Sequence, residues 1–374
     1  MSVSTDVPTE RGPDVPVRAP APVRRRRHAI ARAMASDRIG AVYVWIVLII
    51  AFSLLAPSAF PSLTTAKQVA NTYAVTGMAA LAITLPLATR TFDLSIASVI
   101  NLTGVSVAYL QVHGLALVPA VALALLVGLA MGAINAIVIV GMKIDAFIGT
   151  LATGSLIQAL VLLITNDIPI TSLHLALGPF SRIGQAAYGG VTIPVVYLIV
   201  IAAIVWYVLE HTATGRRMYA VGFNPDAARL ARVRVDRLRV TALLVSGFVA
   251  GLTGVVLAST VSSGSPDIGT PYLIPVYASA FLGATQLRHG RFNAGGTIIA
   301  VMMLGTGVVG LGLAGAQGWA QQMFIGVVLI ASLALTGVQR RGAATVLPTR
   351  LLARVRGRAG RADGRPTDAR PTDT

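Results

Sequence analysis

A long uncharged run, residues 117–140, decides the fold of this 374-residue chain; it reads LVPAVALALLVGLAMGAINAIVIV. About 20 apolar residues in a helix cross the roughly 30 Å hydrocarbon core of a membrane. Residues 240–261 form a second such run, and neither alternates with the period of two of a barrel strand. The chain is 55% hydrophobic and 12% charged, whereas soluble domains carry about 25% charged residues. These features predict an all-α polytopic membrane protein.

Apolar runs of this kind recur along the chain. They predict about ten transmembrane helices, of which the third and the eighth are the shortest or most polar. The predicted spans are residues 39–56, 69–89, 95–112, 117–140, 146–164, 193–209, 240–261, 272–287, 294–313 and 319–338.

Lysine and arginine lie almost entirely on one side of these spans. With the N-terminus inside, 28 of the 30 fall in inside segments, and only Lys67 and Arg182 lie outside. The positive-inside rule then predicts a multi-pass protein of the cell membrane with both termini in the cytoplasm. The net charge of +16 sits in tails and loops of one side, which argues against a nucleic-acid partner.

The two ends of the chain are polar and basic. Residues 1–38 and 339–374 are predicted to be disordered cytoplasmic tails around a membrane domain, residues 39–338. The arginine run 24–27 is interpreted as a topology anchor that contacts anionic membrane lipid.

The loop 210–239 carries seven arginines and is too polar for the bilayer. It contains the signature of a short helix, since Asn224 is a strong N-cap, Pro225 suits the first helical position and Asp226 complements the helix dipole. A two-turn helix is not stable alone, so we expect it to dock on the membrane domain, on a partner, or on both. Its small apolar face comprises Ala227, Ala228, Leu230 and Ala231.

Sequence motifs for chemistry are missing. A P-loop needs glycine immediately before its lysine, but Lys67 follows alanine and Lys143 follows methionine, so this chain does not power itself with ATP in that way. The five histidines show no ligand spacing, and no catalytic site, metal site or cofactor is predicted. No Asp, Glu or His lies in mid-membrane, which disfavours an ion-coupled carrier.

Small residues recur inside the spans at helical spacing. The pairs Gly128/Gly132 and Gly247/Gly251 predict close helix packing within the subunit. The run 305–310 matches the glycine pattern of dinucleotide-binding folds, but it lies inside a span with no strand before it, so it too predicts packing.

Two polar regions near the spans invite a functional interpretation. At the joint between spans two and three, Asp93 or Ser95 can cap the following helix and Arg90 can pair with Asp93, or the carboxylate can contact a substrate. In span five, polar side chains can line a hydrated path for a polyol, or bond backbone carbonyls and neighbouring helices. The candidate path residues are Asp93, Ser95, Thr150, Thr153, Ser155 and Gln158.

Four ordered stretches together resemble the permease subunits of ribose-type ABC importers. Residues 214–231 resemble the cytoplasmic coupling segment of that family, and the resemblance extends over about residues 40–338. The other matching stretches are residues 92–98, 135–165 and 247–285 with 293–296.

The resemblance implies a type II importer-like permease that pairs with a second copy or a paralogue. A separate ATPase would bind the coupling segment, and an extracytoplasmic solute-binding protein would deliver a ribose-like monosaccharide or polyol. Asp93 and Asp267, each following an apolar helix, suggest a weak inverted repeat. The ATPase-coupling residues so implied are Gly215, Arg216, Asn224, Pro225, Asp226, Ala227, Ala228, Arg229, Leu230 and Arg232.

Two alternatives stay open from the sequence. One is an ion-driven carrier that works without an ATPase. The other keeps the ABC fold and carries nucleosides or branched-chain amino acids.

Overall fold

A computed structural model describes residues 40–287 and 290–335 of the chain. The predicted tails and their arginine run lie outside the described residues. Fourteen α-helices dominate the described part, with four two-residue strands in two antiparallel pairs.

The helices are α1 (Gly40–Leu55), α2 (Leu63–Ala88), α3 (Ile96–Val112), α4 (Leu117–Ala136, continued by a π turn, Ile137–Gly141), α5 (Ala146–Thr165), α6 (Leu173–Leu177), α7 (Pro179–Gln185), α8 (Ile193–His211), α9 (Ala213–Phe223), α10 (Pro225–Leu230), α11 (Val235–Val261), α12 (Leu273–Thr285), α13 (Ala294–Leu313) and α14 (Gly318–Leu335). The strands are β1 (Ile170–Thr171), β2 (Ala187–Tyr188), β3 (Val191–Thr192) and β4 (Ser263–Gly264); β1 pairs with β4 and β2 with β3.

A helix stands at each of the ten positions where the sequence predicts a span. Within the described residues, seven of them are long and apolar enough to cross a membrane: α2, α4 with its π turn, α5, α8, α11, α13 and α14. The other three, α1, α3 and α12, are shorter. Helices α3 and α12 each adjoin non-helical backbone. At these two positions the chain covers part of the membrane thickness without helical hydrogen bonds.

Helices α2 and α11 form the centre of the described structure, and α14 lies at its edge. In the apolar window of α2, 83% of residues are buried inside the protein, against 67% in α11 and 6% in α14. Ser62 caps α2 by accepting a hydrogen bond from the Thr65 amide at 3.1 Å. Because α2 is enclosed on most sides, its mixture of small and polar residues is a packing surface rather than a lipid-facing one.

The paired glycines pack α4 directly against α11. A Cβ atom on Gly128 would lie 2.6 Å from the carbonyl oxygen of Gly247 and 2.9 Å from the Cα of Gly251, and one on Gly247 would overlap the Gly128 carbonyl. Only glycine permits backbones to come this close. The predicted packing role within the subunit is confirmed.

The glycine run 305–310 in α13 receives aromatic rings from three other helices. Gly305 faces the ring of Tyr73 in α2, Gly307 that of Phe324 in α14, and Gly310 that of Phe52 in α1. The resemblance of this run to a nucleotide-binding motif is therefore coincidental, as its position in a span predicted.

Candidate functional site: the coupling segment and the Asp93 cluster

The segment Thr212–Arg234 contains the stretch 214–231 that resembles a coupling segment, and it is called the coupling segment below for that resemblance. It begins at a tight turn between α8 and α9. Thr212 caps α9 by accepting a hydrogen bond from the Gly215 amide at 3.1 Å. A side chain on Gly215 would collide with the carbonyl oxygens of Val208 and Leu209. Gly215 therefore shapes this turn instead of offering a contact surface.

The predicted cap of the short helix α10 is confirmed. The Asn224 side chain accepts hydrogen bonds from the amides of Asp226 and Ala227, both at 3.1 Å, and Pro225 is the first helical residue. These bonds satisfy amides that a helix start otherwise leaves unpaired. The sequence therefore located the start of this helix to the residue.

The apolar residues of α10 divide between two faces. Ala228 is buried and packs with Val221 and Val235, which holds α10 on the membrane domain. Leu230 is 88% exposed, and Phe223, the last residue of α9, is 69% exposed. Ala227 and Ala231 are exposed as well, so α10 is fixed by one face and leaves Leu230 and its neighbours free for a partner.

Phe223 is a feature that the sequence reasoning missed. An exposed aromatic side chain in a polar loop is a common anchor in protein interfaces. Its position directly before the Asn224 cap was the available signal.

The arginines of the segment have different surroundings. Arg229 bridges Asp226 and Asp236, each at 3.3 Å, and these are the two ion pairs found among the described residues. Both pairs are exposed, so each contributes little to stability. The pair with Asp226 lies within α10, and the pair with Asp236 connects α10 to α11. Arg216 is exposed. Arg232 adopts a left-handed conformation, φ 59°, where a helix usually ends with glycine.

Helix α9 connects the coupling segment to two joints of the membrane domain. A side chain on Gly222 would overlap the carbonyl oxygen of Ala88, so α9 touches the end of α2 directly. On the other side, the Tyr219 hydroxyl donates a hydrogen bond of 2.9 Å to the carbonyl of Phe292, just before α13. The segment is thus in contact with both the α2–α3 joint and the α12–α13 joint.

The α2–α3 joint is organised around the buried Asp93 carboxyl, which is 3% exposed. One of its oxygens accepts from the Ser95 hydroxyl at 2.7 Å, and the other accepts from the Ser246 hydroxyl at 2.9 Å. The Asn135 side chain donates to Ser95 at 2.7 Å, and Thr153 donates to Asn135 at 2.6 Å. These five residues, the Asp93 cluster, tie the joint to α4, α5 and α11.

Backbone groups in the same joint also find side-chain partners. The Asp93 amide donates to the Tyr277 hydroxyl at 3.2 Å, and the Leu94 amide donates to the Thr150 hydroxyl at 3.0 Å. Non-helical backbone at membrane depth is tolerated only where protein satisfies its polar groups. The cluster explains how α3 can begin inside the protein.

One sequence prediction for this joint is wrong, and one of two predicted alternatives for the cap of α3 is excluded. Arg90 is exposed in a left-handed conformation and makes no ion pair with Asp93. Ser95 is the N-cap residue of α3, but its hydroxyl does not cap the helix because it donates to the Asp93 carboxylate instead. Asp93, the other predicted cap, accepts a hydrogen bond from the Ser95 backbone amide. Both outcomes follow from burial, since an enclosed carboxyl recruits the donors nearest to it.

The polar residues of α5 separate into three positions. Thr150 and Thr153 are buried at the Asp93 joint, as their shared helical face indicated. Gln158 lies farther along α5 and bonds Asn101, the Pro266 carbonyl and Asp267 at 2.9, 3.1 and 3.3 Å. Ser155 is exposed and donates to the Leu151 carbonyl at 3.1 Å. Thr150, Thr153 and Gln158 therefore connect helices in this conformation.

Replacement of Asp93 by asparagine will lower the thermal stability of the protein. The new amide group faces hydroxyl and amide donors, so one buried donor loses its acceptor, at a cost of about 1–3 kcal/mol. The midpoint of thermal aggregation, followed by size-exclusion chromatography in detergent, checks this. The exposed Asp267→Asn is the matched control, and equal midpoints for the two variants would contradict the structural role of Asp93.

Comparison with known protein families identifies the chain. A family model described as "branched-chain amino acid transport system / permease component" matches residues 65–333, a range that includes the coupling segment and the Asp93 cluster. The chain belongs to this family. It is therefore a membrane permease subunit rather than an enzyme.

Individual members of the family with curated names are similar over most of the chain. The ribose import permease protein of Bacillus subtilis (strain 168) is 32% identical over 299 residues, which cover 80% of this chain and 92% of that protein. The L-arabinose transport system permease protein of Escherichia coli (strain K12) is 30% identical, covering 83% and 93%. The fructose import permease protein of Rhizobium meliloti is 29% identical, covering 80% and 85%. No solved structure matches the chain.

Proposed function

We propose that this permease is the membrane subunit of an ABC importer for a monosaccharide, which a solute-binding protein delivers and a separate ATPase drives. The observation that carries the proposal is the similarity, over most of the chain, to permeases named for ribose, arabinose and fructose. The family description names branched-chain amino acids, but the similarity to these relatives supports a sugar as the first candidate cargo.

The proposed topology has ten spans, with both termini in the cytoplasm. The helix at each predicted position supports the count, and the one-sided lysines and arginines support the orientation. A second copy or a paralogue completes the translocation path. The Asp93 joint and the Asp267 loop, linked through α5, are the features on which we base a weak inverted repeat.

In the proposed mechanism, the ATPase binds the exposed side of the coupling segment. We assign Leu230, Ala227 and the polar residues beside them in the coupling segment to this contact. We add Phe223 because its side chain is exposed next to them. Movement of α10 reaches α9 and then both joints, through the Gly222–Ala88 and Tyr219–Phe292 contacts. Each of these contacts lies at a joint between two helices. Displacement of the coupling segment therefore shifts four helices, α2 and α3 at one joint and α12 and α13 at the other.

Reconstitution in liposomes tests this function. The chain is co-reconstituted with a candidate ATPase and a candidate binding protein from the same organism, and uptake of radiolabelled D-ribose, L-arabinose and D-fructose is measured with ATP inside or outside the vesicles. We expect uptake of at least one sugar only when ATP is on the ATPase side. Uptake by the chain alone in an ion gradient would instead identify a carrier. ATP-driven uptake of uridine or L-leucine with no sugar uptake would overturn the proposal that the cargo is a sugar.

A further inference from the structure

A cavity of about 550 Å³ lies away from the coupling segment, between the first half of α2, the start of α12, the second half of α13 and the start of α14. Its size falls within the range of about 300–1,000 Å³ of small-molecule sites. We call it the outer pocket, because it lies on the side of Lys67 in the proposed topology. Its polar lining residues are Gln68, Thr72, Tyr73, Thr76, Tyr272 and Gln321.

The side chains of these six residues make no hydrogen bond to any other described residue. Elsewhere in the helices, buried hydroxyls bond the carbonyl one turn earlier: Thr84 bonds Ala80 at 2.7 Å and Thr253 bonds Val249 at 2.7 Å. Within the outer pocket, Tyr73 and Thr76 are buried, whereas Gln68 and Thr72 are exposed. The lining of the outer pocket therefore offers hydroxyls and amides, both donors and acceptors, to something that enters it.

The rest of the lining is apolar and in part rigid. Val308, Val309 and Leu313 form one wall. The ring of Tyr73 is held in place because it packs on Gly305, where a Cβ atom would lie 2.7 Å from it. A ring beside aliphatic walls suits the apolar C–H faces of a sugar, while the amides and hydroxyls suit its hydroxyl groups.

No charged side chain lines the outer pocket among the described residues. A zwitterionic amino acid would place both of its charges there without an opposite partner, at a high desolvation cost. A neutral polyhydroxyl solute has no such cost, since each hydroxyl can exchange water for one of the free groups.

We infer that the outer pocket is a binding site for one neutral monosaccharide in transit, held through the amides of Gln68 and Gln321 and the hydroxyls of Thr72 and Thr76. The inference rests on the proposed function for the choice of a sugar. The position and chemistry of the site come from the structure alone.

The absence of cysteine from the chain permits a direct test. Val309→Cys and Leu313→Cys introduce single thiols into the apolar wall of the outer pocket and leave the amides and hydroxyls that would hold the sugar in place. The purified variants in nanodiscs, which are open on both sides, are labelled with a charged methanethiosulfonate reagent, with and without D-ribose, L-arabinose, D-fructose, uridine or L-leucine. Leu63→Cys is the control, because Leu63 is 72% exposed at the start of α2 and outside the pocket lining.

We expect at least one of the three sugars to slow the labelling of both Val309→Cys and Leu313→Cys and to leave the labelling of Leu63→Cys unchanged. Occupancy slows labelling by the factor 1 + [L]/Kd, about twofold when the sugar concentration equals Kd. Equal labelling rates with every sugar would overturn the site, as would protection by L-leucine or uridine alone. If a sugar is taken up with ATP but does not slow labelling, only the proposed binding site is wrong. If a sugar slows labelling but is not taken up, only the proposed function is wrong.

Discussion

Replacement of Gly128 by leucine will abolish the folded membrane domain. The first side-chain atom alone would lie 2.6 Å from the Gly247 carbonyl oxygen, and neither backbone can withdraw without separating α4 from α11. Inserting atoms into a packed interior costs about 1–3 kcal/mol, and more where relaxation is blocked. Gly128→Ala, which adds only that first atom, should therefore be destabilised and still fold, while Gly128→Leu should not.

Size-exclusion chromatography of detergent-solubilised, fluorescently tagged protein distinguishes these outcomes, because misfolded protein loses its monodisperse peak. Gly326→Leu is the matched control: this glycine in α14 has no atom within 4 Å of the place where a Cβ would lie. A normal peak and midpoint for Gly128→Leu would show that α4 and α11 are not packed as described.

Replacement of Leu230 by arginine will strongly lower transport while the protein stays folded and inserted. Leu230 is 88% exposed, so the substitution removes no internal packing. In the proposed complex it removes a buried apolar contact and adds a charge beside Arg229. Loss of a central interface residue costs about 2 kcal/mol or more, so we expect at least about a tenfold fall in ATP-driven uptake and in ATPase retained during purification.

The control for this variant is Leu177→Arg, the same change at an 81% exposed leucine in α6, on the opposite side of the membrane domain in the proposed topology. It should retain the ATPase fully, and Leu230→Met should retain it nearly so. Undiminished ATPase binding by Leu230→Arg would remove Leu230 from the proposed interface.

Local sequence patterns were sufficient for much of this structure. Helix positions followed from uncharged runs, because apolar length alone determines a span. The Asn224 cap and the close packing at the pairs Gly128/Gly132 and Gly247/Gly251 were also predictable, since each depends on residue types with one dominant structural use. That the two pairs meet each other was not predicted. Among the described residues, seven helices are long and apolar enough to cross a membrane, because three of the ten at predicted span positions are shorter. The inverted repeat stays a prediction.

The candidate site was harder to predict because its contacts join distant parts of the chain. Asp93 meets Ser246, 153 positions away, and nothing local to Asp93 indicates that serine. Arg90, three residues away, was the plausible partner by proximity and is wrong. The division of α10 into a fixed and a free face likewise depends on where Val221 and Val235 lie. The outer pocket was also not predictable, because residues from four helices line it.

The Asp93 cluster has a consequence for how the protein can change shape. Its buried bonds bind the start of α3 to α4, α5 and α11, and separating any pair would leave a buried carboxyl or its donors unsatisfied. These four helices should therefore travel as one rigid block during transport. The walls of the outer pocket come from α2, α12, α13 and α14, and none of these helices belongs to the block. The pocket can therefore change shape while the block stays intact.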